Sequence, residues 1–314
     1  LRIQAGLRLC SNFRAKLGLI GQTEESDEAD EIAATLDEGE DGKERAKEAK
    51  KILDLLRAEY KMLTTGISKN RELPTRKGFK GAELISDYAE LLLVNQYERL
   101  VIDEKKAFGQ LLDVMEQIPV WTEWLSHQTG IGPAMGAVLI TSFDPHKAVY
   151  PSCFLSLSGV ACSPKDGMGM SRRKEHLIER EYVAKDGTTK TKLSTVFDPW
   201  LQARLLAVLG PCMMRANSPY RKFYDEYKHR IQTDPQRLKM TDAAKSKLRL
   251  AGEDVRNIWP PSRIHRAAIR YMLKIFLINF WREWRELENL PLAPSYWEAK
   301  RGYEHGTHEP IPSA

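Results

Sequence analysis

Apolar residues recur at every third or fourth position over much of the chain, which is the spacing of one face of an α-helix. Two segments show this most clearly: 43–63, with Ile52, Leu55, Leu56, Tyr60 and Leu63, and 82–118, with Leu84, Tyr88, Leu91, Val94, Tyr97, Val101, Phe108, Leu111, Met115 and Ile118. The second segment contains no proline, and Pro119 ends it. Such a long helix is typical of a coiled coil, so we predict a helical arm that pairs with residues 43–63 or with a second subunit.

Helix-start signals punctuate the rest of the chain. Asp198-Pro199 and Ser218-Pro219 combine a capping side chain with a proline suited to a first helical turn, and Pro260-Pro261-Ser262 also marks a helix start. They predict a helix through Arg215, another after residue 219, and a last long helix over 263–287. The polar segment 161–195 predicts a loop with a β-hairpin at Tyr182–Lys190. No strand pattern is strong enough to build a large sheet, so the predicted fold class is mainly α.

The charge of the chain is unevenly distributed. It has 314 residues with 48 basic and 43 acidic side chains, but residues 24–41 hold ten acidic side chains and no basic one. The rest of the chain therefore carries 48 basic against 33 acidic side chains, which indicates a polyanionic partner. We predict four parts: a basic N-terminal segment with an acidic linker (1–42), the helical arm (43–118), a helical domain (119–300) and a tail (301–314).

Composition excludes several classes of protein. An apolar fraction of 42% with 29% charged residues is typical of a globular protein, and no apolar run is long enough to span a membrane. The four cysteines form no CxxC pair, which favours reduced, buried thiols in a cytosolic protein. The seven histidines provide no convincing metal set, so no cofactor is evident.

The segment Gln128-Thr129-Gly130-Ile131-Gly132-Pro133-Ala134 has the pattern of a helix-hairpin-helix turn. Its glycines permit a tight turn with positive φ, and amide groups at the start of the second helix would point toward a phosphate. We therefore predict that Gly130, Ile131 and Gly132 contact nucleic acid without reading its sequence. The alternative is a helical hairpin that only packs.

Basic residues at helical spacing mark the last long helix. Arg263, Arg266, Arg270 and Lys274 share one face, which suits a helix laid along a phosphate backbone. The alternative is a solvated face beside a core face. The aromatic residues at 220, 223, 224 and 227 also share a helical face, and for them a core role is favoured over base stacking.

The loop 165–174 places Ser171 among glycines and directly before three cations, Arg172, Arg173 and Lys174. A serine that attacks a phosphodiester needs such cations to hold the phosphate and to stabilise the developing charge. His176 lies nearby in sequence, although no base can be assigned from sequence alone. The alternative is a basic surface loop.

Taken in order, these segments resemble the C-terminal transposase domain of the insertion sequence 110 family, which includes the Piv-type invertases. The resemblance rests on Gly130-Ile131-Gly132-Pro133, Phe154–Val160, the Ser/Arg loop, Asn217–Arg221 and His265–Lys274, and it spans about residues 119–300. It implies DNA transposition or site-specific recombination, a helix-hairpin-helix domain, a serine nucleophile and guide RNA, for which the basic loop 64–80 is suited. The nearest match to that serine is Ser171, and Ser163 is a poorer one.

Members of that family also carry an N-terminal RuvC-like domain with four acidic metal ligands, and no segment before residue 100 has that pattern. Mg²⁺ is therefore expected only if such a domain is supplied elsewhere, as in a truncated, divergent or split protein. The predicted partners are DNA, guide RNA and a second copy bound through the arm. The alternatives are a non-catalytic nucleic-acid-binding protein derived from such a transposase and a helical scaffold.

Overall fold

The computed structural model describes residues 1–14, 16, 40–65, 73–163, 167–185, 187–253, 255 and 257–293, with only the backbone given for 40–46. The protein is mostly helical, which confirms the predicted class. Most of the acidic run 24–41, residues 66–72 of the basic loop and the tail 301–314 lie outside the described residues.

The helices follow the predicted order closely. They are α1 (Arg2–Arg14), α2 (Glu40–Thr65), α3 (Tyr88–Met115), α4 (Pro119–Glu123), α5 (Pro133–Ser142), α6 (Pro151–Leu157), α7 (Pro199–Ala203), α8 (Gly210–Arg215), α9 (Arg221–Thr233), α10 (Asp242–Leu250) and α11 (Pro261–Leu287). Short 3₁₀ turns lie at Leu125–His127 and Lys174–His176, and a π-helical segment, Arg204–Leu209, joins α7 to α8. The strands are β1 (Leu177–Val183) and β2 (Thr189–Thr195).

Contacts along the chain separate two compact units, Leu1–Gln110 and Leu111–Ala314. The division falls eight residues before the predicted boundary at 118/119, within α3. The first unit also includes α1, which the sequence analysis had assigned to a separate N-terminal part.

The N-terminal unit is built from α1, α2 and the first part of α3 around one core. Phe13 of α1, Ile52 and Leu56 of α2 and Leu91 and Val94 of α3 are all nearly inaccessible to solvent. The apolar faces of α2 and α3 therefore meet within the chain, which is the first of the two pairings that the sequence left open. An ion pair between Arg57 of α2 and Glu98 of α3, 2.5 Å long, lies at its surface.

The C-terminal unit is organised around α11. Burial of this helix extends all round its second half, from Met272 to Phe280, because short helices cover several of its sides. Aromatic rings fill the interface: Trp124 stacks on Phe276 and Phe280 at centroid distances of 5.8 and 5.9 Å. The core role predicted for the aromatic residues at 220, 223, 224 and 227 is confirmed for Tyr220, Phe223 and Tyr224, which are buried, whereas Tyr227 is half-buried.

The predicted hairpin is present and is longer than expected. Strands β1 and β2 pair antiparallel from Leu177 opposite Thr195 to Val183 opposite Thr189. Gly187 in the connecting turn has a φ of +77°, a backbone conformation that residues other than glycine rarely adopt.

Candidate functional site

The turn at 128–134, predicted to be a helix-hairpin-helix turn, packs inward. Gly130 has a φ of +93°, and a Cβ there would lie 2.9 Å from Cα of Met213 in α8. Ile131 is 7% exposed and belongs to the core. Gly132 is exposed, with open space where a Cβ would be, but its φ is −91°, so the expectation of positive φ is wrong at this glycine.

The surroundings of this turn lack positive charge in the sequence. Residues 107–146 contain no lysine or arginine and include Asp113, Glu116, Glu123 and Asp144. Affinity for phosphate comes mainly from cations. This turn has none, so the backbone N–H groups at the start of α5 are all that it offers to an anion. Of the three predicted contact residues, Gly132 is exposed, Gly130 is half-buried and Ile131 is buried.

The loop that precedes Ser171 is held by two side chains from the helical body. Gln202, in α7, donates to the carbonyl oxygens of Gly159 (2.7 Å) and Met170 (3.1 Å). Arg270, in α11, donates to the same two oxygens at 2.8 and 3.3 Å. A bridge between Cys162 and Gly169 closes the loop on itself. Both ends of the loop are thus fixed, and so is the backbone position of Ser171, which directly follows Met170.

Ser171 and His176 form a close polar pair. The Oγ of Ser171 lies 3.1 Å from Nδ1 of His176, and the backbone N–H of Ser171 also donates to that nitrogen, at 3.2 Å. The acceptor role of Nδ1 places the imidazole proton on Nε2 when the ring is neutral. His176 is buried, whereas Ser171 is partly exposed. A serine hydroxyl at this distance from an imidazole nitrogen can pass its proton to the ring.

The other candidate serine and the neighbouring cations are also placed. Ser163 is buried, which makes it a poor nucleophile for a large substrate. Arg172 and Lys174 are exposed, as is Arg173, whose backbone N–H lies 3.4 Å from Oγ of Ser171. The loop therefore presents its three predicted cations at the protein surface around the serine.

A group of cations surrounds Trp259, directly before α11. The guanidinium carbons of Arg237 and Arg263 both lie over the indole ring of Trp259, 4.2 and 4.0 Å from its centroid. Arg263 donates to the carbonyl oxygen of Ile258 at 2.8 Å, and Nζ of Lys245 donates to the same oxygen at 3.0 Å. Among the described residues, Nη1 of Arg237 is buried without a hydrogen-bond partner.

Electrostatics link this group to the serine loop. Burial lowers the pKa of Arg263, and the neighbouring charges of Arg173 and Arg237 lower it further. Burial also lowers the pKa of Lys245, with Arg263 and Arg173 adding to the effect. Cations that repel one another favour an anion in their midst. Arg173 of the serine loop therefore belongs to the same group of interacting cations as Arg263 and Lys245.

The basic stripe on α11 is divided in the structure. Arg270 is turned into the protein, and burial lowers its pKa. Lys274 lies 3.4 Å from the sulfur of Cys162. Arg266 is exposed and contacts its own helix at Ser262. Two of the four predicted phosphate contacts, Arg270 and Lys274, therefore contact the serine loop. Arg263 is half-buried against Trp259, and only Arg266 is exposed.

Sequence reasoning missed three contributors to this site, Arg237, Lys245 and Trp259, and left His176 unassigned. Arg237 follows α9 and Lys245 lies on α10, and neither stands in a basic run that would have distinguished it. His176 lies five residues after the serine, a spacing that indicates no contact until the loop conformation is known.

No protein-family model matches the chain, and neither a curated protein nor a solved structure matches it. The described ranges contain no group of three or more His, Cys, Asp or Glu side chains placed to hold a metal ion. None of the helices described is long and apolar enough to cross a membrane.

Proposed function

We propose that the protein binds DNA and transfers a strand through Ser171, as a transposase or site-specific recombinase does. The observation that carries the proposal is the 3.1 Å separation between Oγ of Ser171 and Nδ1 of His176 beside a cationic surface. The resemblance to the insertion sequence 110 family supports the same residue and the same class of reaction.

The chemistry follows from the geometry. Oγ of Ser171 attacks the phosphorus of a phosphodiester, and its proton passes to Nδ1 of His176. The bond from phosphorus to the leaving strand breaks, and the leaving oxygen takes up a proton. The resulting serine–phosphate ester keeps the energy of the original bond, so attack by a hydroxyl of another strand rejoins DNA and releases Ser171. Arg173, with Arg263 and Lys245, neutralises the phosphate.

Two further partners belong to this proposal. Guide RNA binding is implied by the resemblance and is assigned to the basic loop 64–80, of which residues 64–65, at the end of α2, and 73–80 are described. Association with a second copy is assigned to the arm. Because α2 and α3 already share a core within the chain, that association would use the outer sides of these helices, where Met62, Leu93 and Ile102 are exposed.

The test is covalent capture. The protein is incubated with end-labelled duplexes of randomised sequence and Mg²⁺, and denaturing electrophoresis detects protein joined to DNA. Ser171→Ala removes the adduct, and mass spectrometry of the wild-type adduct places phosphate on Ser171. His176→Asn keeps an acceptor near the Nδ1 position for the Ser171 amide but is a poor base, so adduct formation falls about 10²- to 10⁴-fold.

The matched control is Ser126→Ala, which changes an exposed serine near a histidine and leaves the adduct unchanged. An adduct that persists in Ser171→Ala contradicts the assignment.

A second candidate function is binding without cleavage. It is favoured by the donation of the Ser171 backbone amide to Nδ1, because in that role His176 only fixes the loop. Under this alternative no adduct forms with the wild type, while a salt titration still shows the steep loss of DNA affinity that phosphate contacts produce. Absence of binding to duplex or RNA at low salt would instead favour the helical scaffold.

A further inference from the structure

The two faces of the β1–β2 hairpin carry opposite charge. Residues opposite each other in an antiparallel pair project from the same face. The pairs Ile178–Ser194, Arg180–Lys192 and Tyr182–Lys190 form one face, with three cations and no acidic residue. The other face consists of Leu177, Glu179, Glu181, Val183, Thr189, Thr191, Leu193 and Thr195, with both acidic residues of the strands and no cation.

The hairpin stands clear of the helical body. All of its strand residues are exposed except Leu177, Ser194 and Thr195, which lie at its base. Isolated two-stranded hairpins are only marginally stable in water, and a ribbon exposed on both faces gains little from packing. Its residues are thus available to a partner.

The cationic face includes an unfavourable arrangement. Arg180 and Lys192 lie directly opposite each other, and like charges in that position repel. Lys192 also lies over the ring of Tyr182, with Nζ 5.1 Å from the centroid. Arg180 and Lys192 thus form a pair of adjacent cations, and Tyr182 lies beside them toward the tip of the ribbon. This surface is complementary to a polyanion.

We propose that the cationic face of this hairpin binds the major groove of B-form DNA. The width of that groove admits a two-stranded β-ribbon, and its guanine edges offer N7 and O6 acceptors to arginine and lysine. The major groove of double-stranded RNA is deep and narrow and does not admit the ribbon. Duplex DNA is therefore the occupant, with Glu179 and Glu181 turned away from it.

The position of the hairpin suits the site described above. His176 is the residue directly before β1, so the ribbon begins where the Ser171–His176 pair ends. A DNA duplex with the ribbon in its major groove would therefore lie close to Ser171. The choice of DNA as partner rests on the proposed function, whereas the charged faces and their exposure do not.

The experiment measures binding of the full chain to a 30-base-pair DNA duplex and to an RNA duplex of the same sequence, by fluorescence anisotropy over a range of salt. In Arg180→Gln/Lys192→Gln, DNA affinity falls by roughly tenfold or more, and the slope of log affinity against log salt becomes shallower by about 2, as for two lost phosphate contacts. Protection of guanine N7 from dimethyl sulfate, present with the wild type, is lost. RNA affinity is unchanged.

Three controls accompany this variant. Glu179→Gln/Glu181→Gln alters the opposite face and does not weaken DNA binding. Lys61→Gln/Lys105→Gln removes the same charge from exposed positions in α2 and α3 and leaves guanine protection intact. Arg180→Lys/Lys192→Arg keeps both charges and retains binding, and circular dichroism verifies the fold of each variant.

The outcomes separate the two proposals. Unchanged DNA affinity in Arg180→Gln/Lys192→Gln, or an equal loss on RNA, overturns the hairpin assignment while covalent capture at Ser171 still stands. Weaker DNA binding in that variant supports the hairpin assignment even where no serine adduct forms. A wild-type chain that binds no DNA overturns both.

Discussion

The guanidinium of Arg270 presents its flat face to Gly169. A Cβ at residue 169 would lie 3.1 to 3.2 Å from Cζ, Nε and Nη1 of Arg270, so all three atoms approach the glycine equally. The same guanidinium donates to Gly159 and Met170. A cation predicted to contact DNA thus supports the backbone that carries Ser171.

Replacement of Arg270 should cost stability. In Arg270→Gln the carbonyl oxygens of Gly159 and Met170 keep Gln202 but lose their second donor, and we expect the free energy of unfolding to fall by about 1–3 kcal/mol. Urea denaturation measures the change. Arg266→Gln is the matched control, because Arg266 is exposed and should cost about 0.5 kcal/mol or less. Equal losses in the two variants would show that the contacts of Arg270 add nothing.

The two glycines of the turn before α5, Gly130 and Gly132, should respond differently to alanine. Gly130→Ala combines a left-handed φ with a contact to the α8 backbone, so we expect a loss of about 1–3 kcal/mol. Gly132→Ala meets open space at an ordinary φ, and its effect on stability should be about 0.5 kcal/mol or less. Thermal unfolding compares them. A DNA affinity lowered by Gly132→Ala in a stable protein would show that the turn contacts phosphate after all.

The hairpin should become more stable when its like charges are removed. Relief of the repulsion between Arg180 and Lys192 in Arg180→Gln is expected to stabilise the hairpin by about 0.2–1 kcal/mol. Amide hydrogen exchange in β1 and β2 reports this locally. The gain should shrink at high salt, which screens exposed charges. A gain of the same size at high salt would point to a cause other than charge.

The cysteines should differ in reactivity. Burial raises the pKa of the Cys10 thiol to about 11, with Glu48 contributing, whereas Cys153 and Cys162 are exposed. Because the thiolate is the reactive form, iodoacetamide at pH 8 should modify Cys153 and Cys162 and leave Cys10 unmodified in the folded protein. Peptide mass spectrometry identifies the labelled residues, and unfolding in urea should expose Cys10. Rapid native labelling of Cys10 would contradict its burial.

Helix positions could be predicted from the sequence because apolar spacing reports them directly, and the errors have local causes. Helix α3 begins at Tyr88 rather than near residue 82, since the carboxylate of Glu59 accepts from the backbone amides of Leu84 and Ile85. Asp87 then caps the helix by accepting from Ala89 and Glu90. A hydrogen bond from the side chain of one helix to the backbone before another does not change the spacing of apolar residues, so the sequence pattern does not report it.

The candidate site was only partly predictable. The cationic loop around Ser171 stands out in sequence, but its partner His176 does not, because a spacing of five residues indicates no contact by itself. The side chains that hold the loop before Ser171, Gln202 and Arg270, are 31 and 99 residues further along. The α11 stripe illustrates the opposite error. Its spacing is correct, yet two of its four members turn toward the loop rather than toward solvent.

Ser171 and His176 lie within six consecutive residues, and this has a mechanical consequence. Their separation is set by one short segment, so a displacement of that segment carries both atoms together. The cations that would meet the phosphate are instead shared between this segment and α10 and α11. In the proposed reaction, the alignment of Oγ of Ser171 with Nδ1 of His176 would therefore be a local property, whereas its alignment with a phosphate would depend on how this segment is held against α10 and α11.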